Sequence, residues 1–207
     1  MTSKERMDHS IELKNSNARA AQTISKLNFS IPSNLQLSSL SDICNVEAEA
    51  IVNSANELLL GGGGMDGAIR SIAGEGLQQE CERIPLDSFG VRCYTGKAVL
   101  TGAHGLPNAG YIIHTVAPYL DEKDNPQPAL LQECYRSCMQ LVKDRNISSV
   151  AFPSIGTGYY GYPIVEAATI AVTTIVDCMS NIRRDLTVII VPYSPLDQQV
   201  YSKLMYG

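Results

Sequence analysis

Polar residues flank a run of four glycines, Gly61 to Gly64, and could do chemistry together. Asn53 and Asn56 precede the run, and their amides can donate and accept hydrogen bonds with sugar hydroxyls. Asp66 follows it, at the start of a predicted helix. Because glycine loses more conformational freedom on folding than any other residue, four in a row indicate a backbone that must come close to a ligand. The successive N–H groups and the helix N-terminus would then bind an anion.

Each of these features also has a purely structural explanation. The glycines could form a flexible surface loop, and asparagine is common in the turn that follows a strand. Asp66 stands where the N-cap of a helix is expected, and aspartate is common at that position. The same carboxylate could instead take part in a reaction. The spacing therefore leaves a helix cap and a catalytic residue equally open.

A second glycine loop follows the strand that we predict at residues 149–152. Gly156, Gly158 and Gly161 satisfy the pattern GxGxxG, which is typical of dinucleotide-binding sites. The next strand leads into Tyr193 without the acid that would bind a cofactor ribose, which weighs against a nicotinamide-dependent oxidoreductase. No GKS or GKT occurs, so the loop is not a P-loop. We expect it to hold a diphosphate through backbone N–H groups at a helix N-terminus.

Three tyrosines near these loops, Tyr159, Tyr160 and Tyr193, could pack against a ribose or a base. Ordinary packing in the core or at its rim is the alternative. One loop thus has amides beside it and the other has aromatic rings. Together they fit a nucleotide diphosphate that carries a second sugar.

The elements that must position these loops alternate between strands and helices. Strands separated by helices of about 15 residues indicate an α/β fold, a three-layer α-β-α sandwich around a mixed, largely parallel sheet. Ligands bind such sheets at the carboxyl ends of the strands, where both glycine loops lie. The predicted strands are residues 35–37, 48–52, 97–100, 111–116, 149–152 and 186–191, and the predicted helices are residues 66–83, 129–145, 163–179 and 196–205.

Length and charge limit the classes of protein that the chain can represent. Its 207 residues suit one domain, residues 34–207, after a polar extension, residues 1–33, that is partly disordered or forms one outer helix. A net charge of −5 and a pI of about 5.2 argue against a nucleic-acid partner, because a phosphate backbone is bound by a surplus of lysine and arginine. A monomer is the expected state.

The six cysteines and three histidines form no motif for a metal or redox centre, so neither a metal nor an organic cofactor is expected. No apolar run reaches the length of a membrane-spanning helix, and residues 1–30 lack the apolar segment of a secretory signal. We therefore expect no membrane partner and a place in the cytoplasm or the nucleus. A mitochondrial presequence is weakly supported, because residues 1–33 contain acids and are not rich in arginine.

Several long motifs, in this order, resemble the macrodomain family of ADP-ribose-binding modules, and within it the MacroD-type hydrolases. The resemblance covers about residues 35–205. The segments that carry it are residues 41–43 (SDI), 50–56 (AIVNSAN), 61–69 (GGGGMDGAI), 95–98 (TGKA), 112–118 (IIHTVAP) and 152–163 (FPSIGTGYYGYP).

The resemblance implies roles for several of these residues. Asp42 would accept a hydrogen bond from the adenine amino group, with Ile43 beside it and Tyr193 covering the base. Asn56 would hold the distal ribose, and Asp66 would act in hydrolysis. The residues expected around the rest of the ligand are Asn53, Gly63, Gly64 and Met65 near the distal ribose and Ser154, Ile155, Gly156, Thr157, Gly158, Tyr159 and Tyr160 near the diphosphate, Tyr160 also packing on the distal ribose.

The MacroD-type resemblance implies hydrolysis of the ester that joins ADP-ribose to an acidic side chain of a protein, and of O-acetyl-ADP-ribose. Asp66 would position or activate the water, with a phosphate of the substrate as the alternative base. A module that reads ADP-ribosylation without hydrolysing it is the alternative function. The sequence departs from the subclass pattern at Ser41, which replaces glycine, at Arg70, which replaces histidine, and at Gly156, which replaces serine.

Overall fold

The sheet and the helices that cover it account for most of the chain that the structure describes. A computed structural model describes residues 30–182 and 185–207, so the predictions for residues 1–29 lie outside the described residues. No helix within those two ranges is long and apolar enough to cross a membrane. The strands are β1 (Leu35–Leu37), β2 (Ala50–Ala55), β3 (Ala98–Gly102), β4 (Tyr111–Val116), β5 (Ser149–Pro153) and β6 (Thr187–Val191), and the helices are α1 (Gly64–Ala73), α2 (Glu75–Arg83), α3 (Pro128–Asp144), α4 (Ile164–Met179) and α5 (Pro195–Tyr206).

The six strands form one sheet in the order β1-β6-β5-β2-β4-β3. Every neighbouring pair is parallel except β3 and β4, which are antiparallel at one edge. The central strands are short and rich in valine and isoleucine, as expected of strands that are buried on both faces. The predicted class, an α-β-α sandwich around a mixed and largely parallel sheet, is confirmed.

Helices cover the two faces of the sheet unequally. α1 and α2 pack on one face, while α3, α4 and α5 pack on the other. Successive side chains of a strand point to opposite faces, and this alternation is visible in β2. Ile51 and Ala55 contact the core under α1 and α2, and Ala50 and Val52 contact the core under the other three helices. Asn53 shares the parity of Ile51 and Ala55, so it points towards α1.

Two predicted boundaries near the site are wrong. The single helix predicted at residues 66–83 is two helices, because Gly74 adopts φ +77°, a conformation that ends α1 and that residues other than glycine rarely adopt. The strand predicted at residues 48–52 instead runs from Ala50 to Ala55. Asn53 therefore lies inside β2 and not in a turn after it.

Candidate functional site

The predicted site residues meet at the carboxyl edge of the parallel strands. The first glycine loop follows β2, the second follows β5, and these strands are neighbours in the sheet. The helix after β2 lies on one face and the helix after β5 on the other, which is the switch point where α/β sheets bind ligands. Asp42 follows β1 and Tyr193 follows β6. Along the edge the order is therefore Asp42, Tyr193, the loop at residues 154–160, and Asn56.

Asn56 shapes the first glycine loop with its side chain. Its Nδ2 donates to the carbonyl of Gly61 at 2.6 Å, and its Oδ1 accepts from the N–H of Leu58 at 3.2 Å. Gly61 adopts φ +100°, which allows the chain to turn back there. Asn56 is half-buried, so part of its amide remains accessible beside the loop.

The glycine loop leads directly into α1 and leaves its N-terminus open. The N-cap residue is Gly63, and no side chain caps the helix. The N–H groups of residues 62–66 donate no hydrogen bond within the described part of the chain. A Cβ atom placed on Gly62 would lie 3.6 Å from Asp66 Oδ2 and 4.0 Å from Asn56 Nδ2, so both side chains reach this glycine. Gly63 and Gly64 are exposed, whereas Met65 packs partly against the core.

Asp66 does not cap the helix, because it lies in the first turn of α1, three residues after the N-cap. Its carboxylate is 5% exposed. Oδ1 accepts from Asn53 Nδ2 at 2.6 Å, and Arg70 Nε donates to Oδ1 at 3.2 Å and to Oδ2 at 3.1 Å. The carboxylate is thus held from the sheet by an amide and from its own helix by a guanidinium.

Asn53 is fully buried and belongs to a polar group beneath Asp66. Its Nδ2 also lies 3.1 Å from Nδ1 of His114, and Nε2 of that histidine lies 2.9 Å from Thr101 Oγ1. Burial lowers the pKa of His114 to about 4, with a further decrease from Arg70 and an opposing effect of Asp66. The imidazole is therefore neutral at physiological pH.

The buried side chain of Tyr135 supports the second glycine loop from the core. Ile155 is buried, and its N–H donates to the hydroxyl of Tyr135 at 3.3 Å. Gly156 adopts φ +82° and Gly161 φ +67°, so the turn depends on both glycines. The N–H groups of Gly156, Gly158, Tyr159 and Tyr160 have no hydrogen-bond partner among the described residues. They form the row of free donors that a diphosphate needs. Ser154 and Thr157, at the loop's inner edge, are half-buried.

Three tyrosine rings lie together at the end of the candidate site where the distal ribose was expected. Tyr160 packs on Tyr119 with 3.9 Å between ring centroids, and Tyr159 lies at 6.1 Å from Tyr160. Burial raises the pKa of the Tyr160 hydroxyl, so it stays protonated. Tyr159 is 93% exposed. Tyr119 was not predicted, although its place just after β4, the strand next to β2, was a usable signal.

The opposite end of the site contains the residues predicted to bind adenine. Asp42 is exposed, and its Oδ1 accepts from the N–H of Cys44 at 2.9 Å, which caps a short turn of 3-10 helix. Ile43 is buried beside it, and the ring of Tyr193 is 83% exposed. The N–H of Ser41 donates to the carbonyl of Pro192 at 3.5 Å, which ties the two loops together. Asp42 and Tyr193 therefore lie on adjoining loops, after β1 and β6.

The residues that support Asp66 were not predicted from the sequence. In the sequence, Arg70 is only a departure from the subclass pattern, and His114 is only one residue of the segment at 112–118. Both contribute to the polar group under the carboxylate. The available signal was a histidine in the middle of a strand whose other residues are apolar, since buried polar residues need partners. Within residues 30–182 and 185–207, no group of three or more histidine, cysteine or acidic side chains could hold a metal ion.

Comparisons with known proteins indicate one family. A family model described as Macro domain matches residues 52–171. The chain is 44% identical over 164 residues to O-acetyl-ADP-ribose deacetylase 1 of Pantoea vagans, a match that covers 79% of this chain and 94% of that protein. It is 40% identical over 164 residues to the O-acetyl-ADP-ribose deacetylase of Salmonella gallinarum, which covers 79% of this chain and 90% of that protein.

Solved structures give the same result. The fold is similar to that of the Oceanobacillus iheyensis macrodomain with ADP, with a TM-score of 0.73 and 40% identity over 80% of this chain and 87% of that chain. It is also similar to the Trypanosoma brucei macrodomain in complex with ADP-ribose, with a TM-score of 0.74 and 32% identity over 85% of this chain and 71% of that chain. The resemblance found in the sequence is confirmed, and the chain belongs to the macrodomain family.

Proposed function

We propose that this chain binds ADP-ribose and hydrolyses esters formed on the distal ribose. Its substrates are O-acetyl-ADP-ribose and proteins that carry mono-ADP-ribose on an acidic side chain. The observation that carries the proposal is the order of groups along the sheet edge, from Asp42 and Tyr193 past residues 154–160 to Asn56 and Asp66. Adenine, diphosphate and distal ribose follow one another in the same order in ADP-ribose. The names of the relatives from Pantoea and Salmonella support the reaction.

The diphosphate is bound by the backbone in this proposal. Residues 156 and 158–160 provide free N–H groups from one side, and residues 62–66 provide them from the other. The N-terminus of α1 adds a positive electrostatic potential at the same place. The ligand's two charges are therefore balanced without a lysine or arginine in either loop. Binding energy from this remote part of the ligand holds the ester in place for reaction.

The reacting end lies between Asn56 and Asp66, which both reach Gly62. Asn56 orients the distal ribose, and a water held by Asp66 attacks the carbonyl carbon of the ester. The bond between that carbon and the ribose oxygen breaks, the proton that the water loses passes through its acceptor to the ribose oxygen, and the carboxylic acid leaves. Holding water and ester in line replaces a collision between separate molecules, which is a large part of the rate enhancement.

Arg70 bears on which group accepts the proton of the water. Its Nε contacts both oxygens of Asp66, and Asn53 contacts one of them as well. A carboxylate with so many donors is well suited to fix the position of a water molecule. We assign that role to Asp66, and we assign the role of proton acceptor to a phosphate oxygen of the substrate.

The direct test follows release of ADP-ribose from a glutamate-linked mono-ADP-ribosylated protein and of acetate from O-acetyl-ADP-ribose. Wild type should release both products, and Asn56→Ala should lose most of the turnover. Asp66→Ala should be slowed by about 10²-fold or more, because the water is then no longer held in line. Turnover unchanged in Asp66→Ala would contradict the role of that residue. Micromolar binding of ADP-ribose without release from either substrate would make the chain a reader.

The proposal includes action by a single chain on a protein partner. One chain supplies both ends of the site and the diphosphate loops between them. The distal-ribose end is open, since Tyr159 and Gly158 beside it are exposed. A modified side chain can therefore enter with its polypeptide outside the site. Sedimentation of the purified protein at assay concentration tests for the monomer.

A further inference from the structure

A row of buried polar side chains crosses the sheet beneath Asp66. Asn53 on β2 and His114 on β4 are completely buried, and Thr101 on β3 is 1% exposed. Asn53 and His114 are direct partners in the parallel register of β2 and β4. All three share the parity of the apolar residues that pack against α1 and α2. Apolar side chains would fill these positions without the free-energy cost of burying polar groups. A connected polar row under one carboxylate therefore indicates a role beyond packing.

The negative charge of Asp66 determines the orientation of the Asn53 amide and the tautomer of His114. Its Oδ1 lies 2.6 Å from the amide of Asn53, and only the NH₂ end of an amide can face a carboxylate oxygen. The same Nδ2 lies 3.1 Å from Nδ1 of His114, so that ring nitrogen must be an acceptor without a proton. The proton of the neutral imidazole is then on Nε2, which donates to Thr101 Oγ1 at 2.9 Å. One tautomer satisfies all three contacts.

His114 in turn restrains the carboxylate of Asp66 through the amide of Asn53. His114 holds the amide of Asn53 in the orientation that donates to Asp66. The amide uses one hydrogen for each neighbour, so it has none left for a ligand. Arg70 restrains the carboxylate from the side of α1. Rotation of the Asp66 side chain would break at least one charge-assisted contact on each side.

We propose that His114 is a positioning residue for Asp66 and acts through the amide of Asn53. This inference rests on the proposed function, because it concerns the group that holds the water. It also assigns Asn53 to the support of the reacting group, whereas the sequence predicted that Asn53 contacts the ligand. A displacement of about 1 Å at such a group can cost about 10²-fold in rate, so support from beneath has a large effect on turnover.

The tautomer of His114 tests the arrangement without any assay of activity. The chain has three histidines, so ¹⁵N-histidine labelling gives a simple spectrum, and loss of signals in His114→Asn assigns the residue. We expect Nδ1 without a proton and Nε2 with one, from about pH 6 to pH 8. A proton on Nδ1 in that range would overturn the proposal, because Asn53 could then no longer bridge to Asp66.

Kinetics then test the effect on the reaction. Leucine removes the acceptor of His114, whereas asparagine keeps a carbonyl acceptor close to the position of Nδ1. We expect His114→Leu to lower kcat for O-acetyl-ADP-ribose by about 10- to 100-fold with the Kd for ADP-ribose within about twofold of wild type. His114→Asn should recover most of that loss. A parallel loss of ADP-ribose affinity in both variants would mean that His114 only maintains the fold.

A double variant separates this proposal from the proposed function. In the Asp66→Ala background, His114→Leu should cause no further loss of turnover, because the residue through which it acts is gone. An equal fold-loss in both backgrounds would overturn the positioning role. If wild type hydrolyses neither substrate, the proposed function fails, and the tautomer measurement still decides whether the row is arranged as described.

Discussion

Arg70 connects the first glycine loop, the carboxylate of Asp66 and α2. Besides Asp66, its guanidinium donates to the carbonyl of Leu59 at 2.8 Å and to Gln78 Oε1 at 3.0 Å. The side chains of Arg70 and Asp66 are 13% and 5% exposed, so water can solvate neither charge well if the other is removed. Cδ of Arg70 also lies 3.2 Å from the position that a Cβ atom on Gly61 would occupy. One residue thus sets the shape of the loop and the position of the carboxylate.

The substitution Arg70→Met should reduce the free energy of unfolding by about 3 kcal/mol, because it leaves the buried charge of Asp66 without its partner. Urea unfolding measures the change. Arg136→Met is the matched control, since the side chains of Arg136 and its partner Glu133 are 46% and 42% exposed. We expect that variant to lose less than about 1 kcal/mol. Equal losses in the two variants would contradict the importance of the buried pair.

His114 makes stability depend on pH. The unfolded chain takes up a proton at the ordinary histidine pKa of about 6.5, whereas the folded chain does so only at a pKa of about 4. Stability is therefore fully present above pH 6.5 and decreases as the pH falls towards 4, by about 2 kcal/mol at pH 5. Urea unfolding of wild type and His114→Asn at about pH 7.5 and 5 measures this. The variant should lose about 2 kcal/mol less than wild type; equal losses would contradict the prediction.

At the scale of elements, the loop between β5 and α4 presents a row of N–H groups without a partner among the described residues. Tyr135 from α3 holds Ile155 inward, and Gly156 and Gly161 turn the chain with positive φ. The N–H of Tyr162 donates to the carbonyl of Gly156 at 3.0 Å and closes the loop. The contacts that shape the loop therefore come from beneath, and the outer N–H groups remain free for a ligand.

Two glycines of this loop should respond differently to substitution by alanine. Gly156→Ala should cost about 1–2 kcal/mol of stability, because its φ of +82° is strained for a residue with a Cβ. Gly158 has no positive φ, and a Cβ there meets nothing within 4 Å. Gly158→Ala should keep the stability of wild type and weaken ADP-ribose binding by about 10-fold, since the methyl group occupies space beside the free N–H groups.

Urea unfolding and calorimetric titration with ADP-ribose measure the two effects. An unchanged ADP-ribose affinity in Gly158→Ala would show that the diphosphate does not approach this part of the loop. An unchanged stability in Gly156→Ala would show that the loop can turn without a glycine at that position.

At the scale of the whole molecule, a net charge of −5 is compatible with the proposed site for a diphosphate. Backbone N–H groups and a helix N-terminus can supply the positive potential that such a ligand needs. Proteins that bind nucleic acids through many lysine and arginine contacts instead gain affinity by releasing counterions. The acidic composition therefore argues against a polymer of phosphates and not against a single diphosphate.

The salt dependence of binding checks this difference. Between about 50 and 200 mM NaCl, the affinity for ADP-ribose should change by less than about threefold, because few counterions are released and the overall repulsion is screened. Titration calorimetry at both concentrations measures it. A decrease of more than about tenfold would mean that side-chain cations, and not the backbone, bind the diphosphate.

Most of the fold, and the sheet edge where the candidate site residues meet, could be predicted from local sequence. Periodic apolar runs located all six strands. The positions of the glycine loops and of Asn56 followed from the strands that precede them in the sequence. The break at Gly74 was not visible, because a single glycine inside an amphipathic pattern is compatible with a continuous helix. Tyr119, Arg70 and His114 act through neighbours distant in sequence, and local patterns carry no information about such contacts.

The sequence by itself determined the class of the fold, the family and the kind of ligand, because all three follow from local patterns. These patterns are the periodicity of strands and helices and the glycine and asparagine motifs at strand ends. Only the tertiary structure decided that Asp66 is not the N-cap of its helix and which groups hold its carboxylate. It stands three residues after the helix N-cap, and its partners come from β2 and from its own helix. Pairing of β2 with β4 brings Asn53 against His114, 61 residues away in the chain, and this register places a polar row beneath the carboxylate. Hydrogen bonds across a sheet depend on register, which is set by the packing of the whole core.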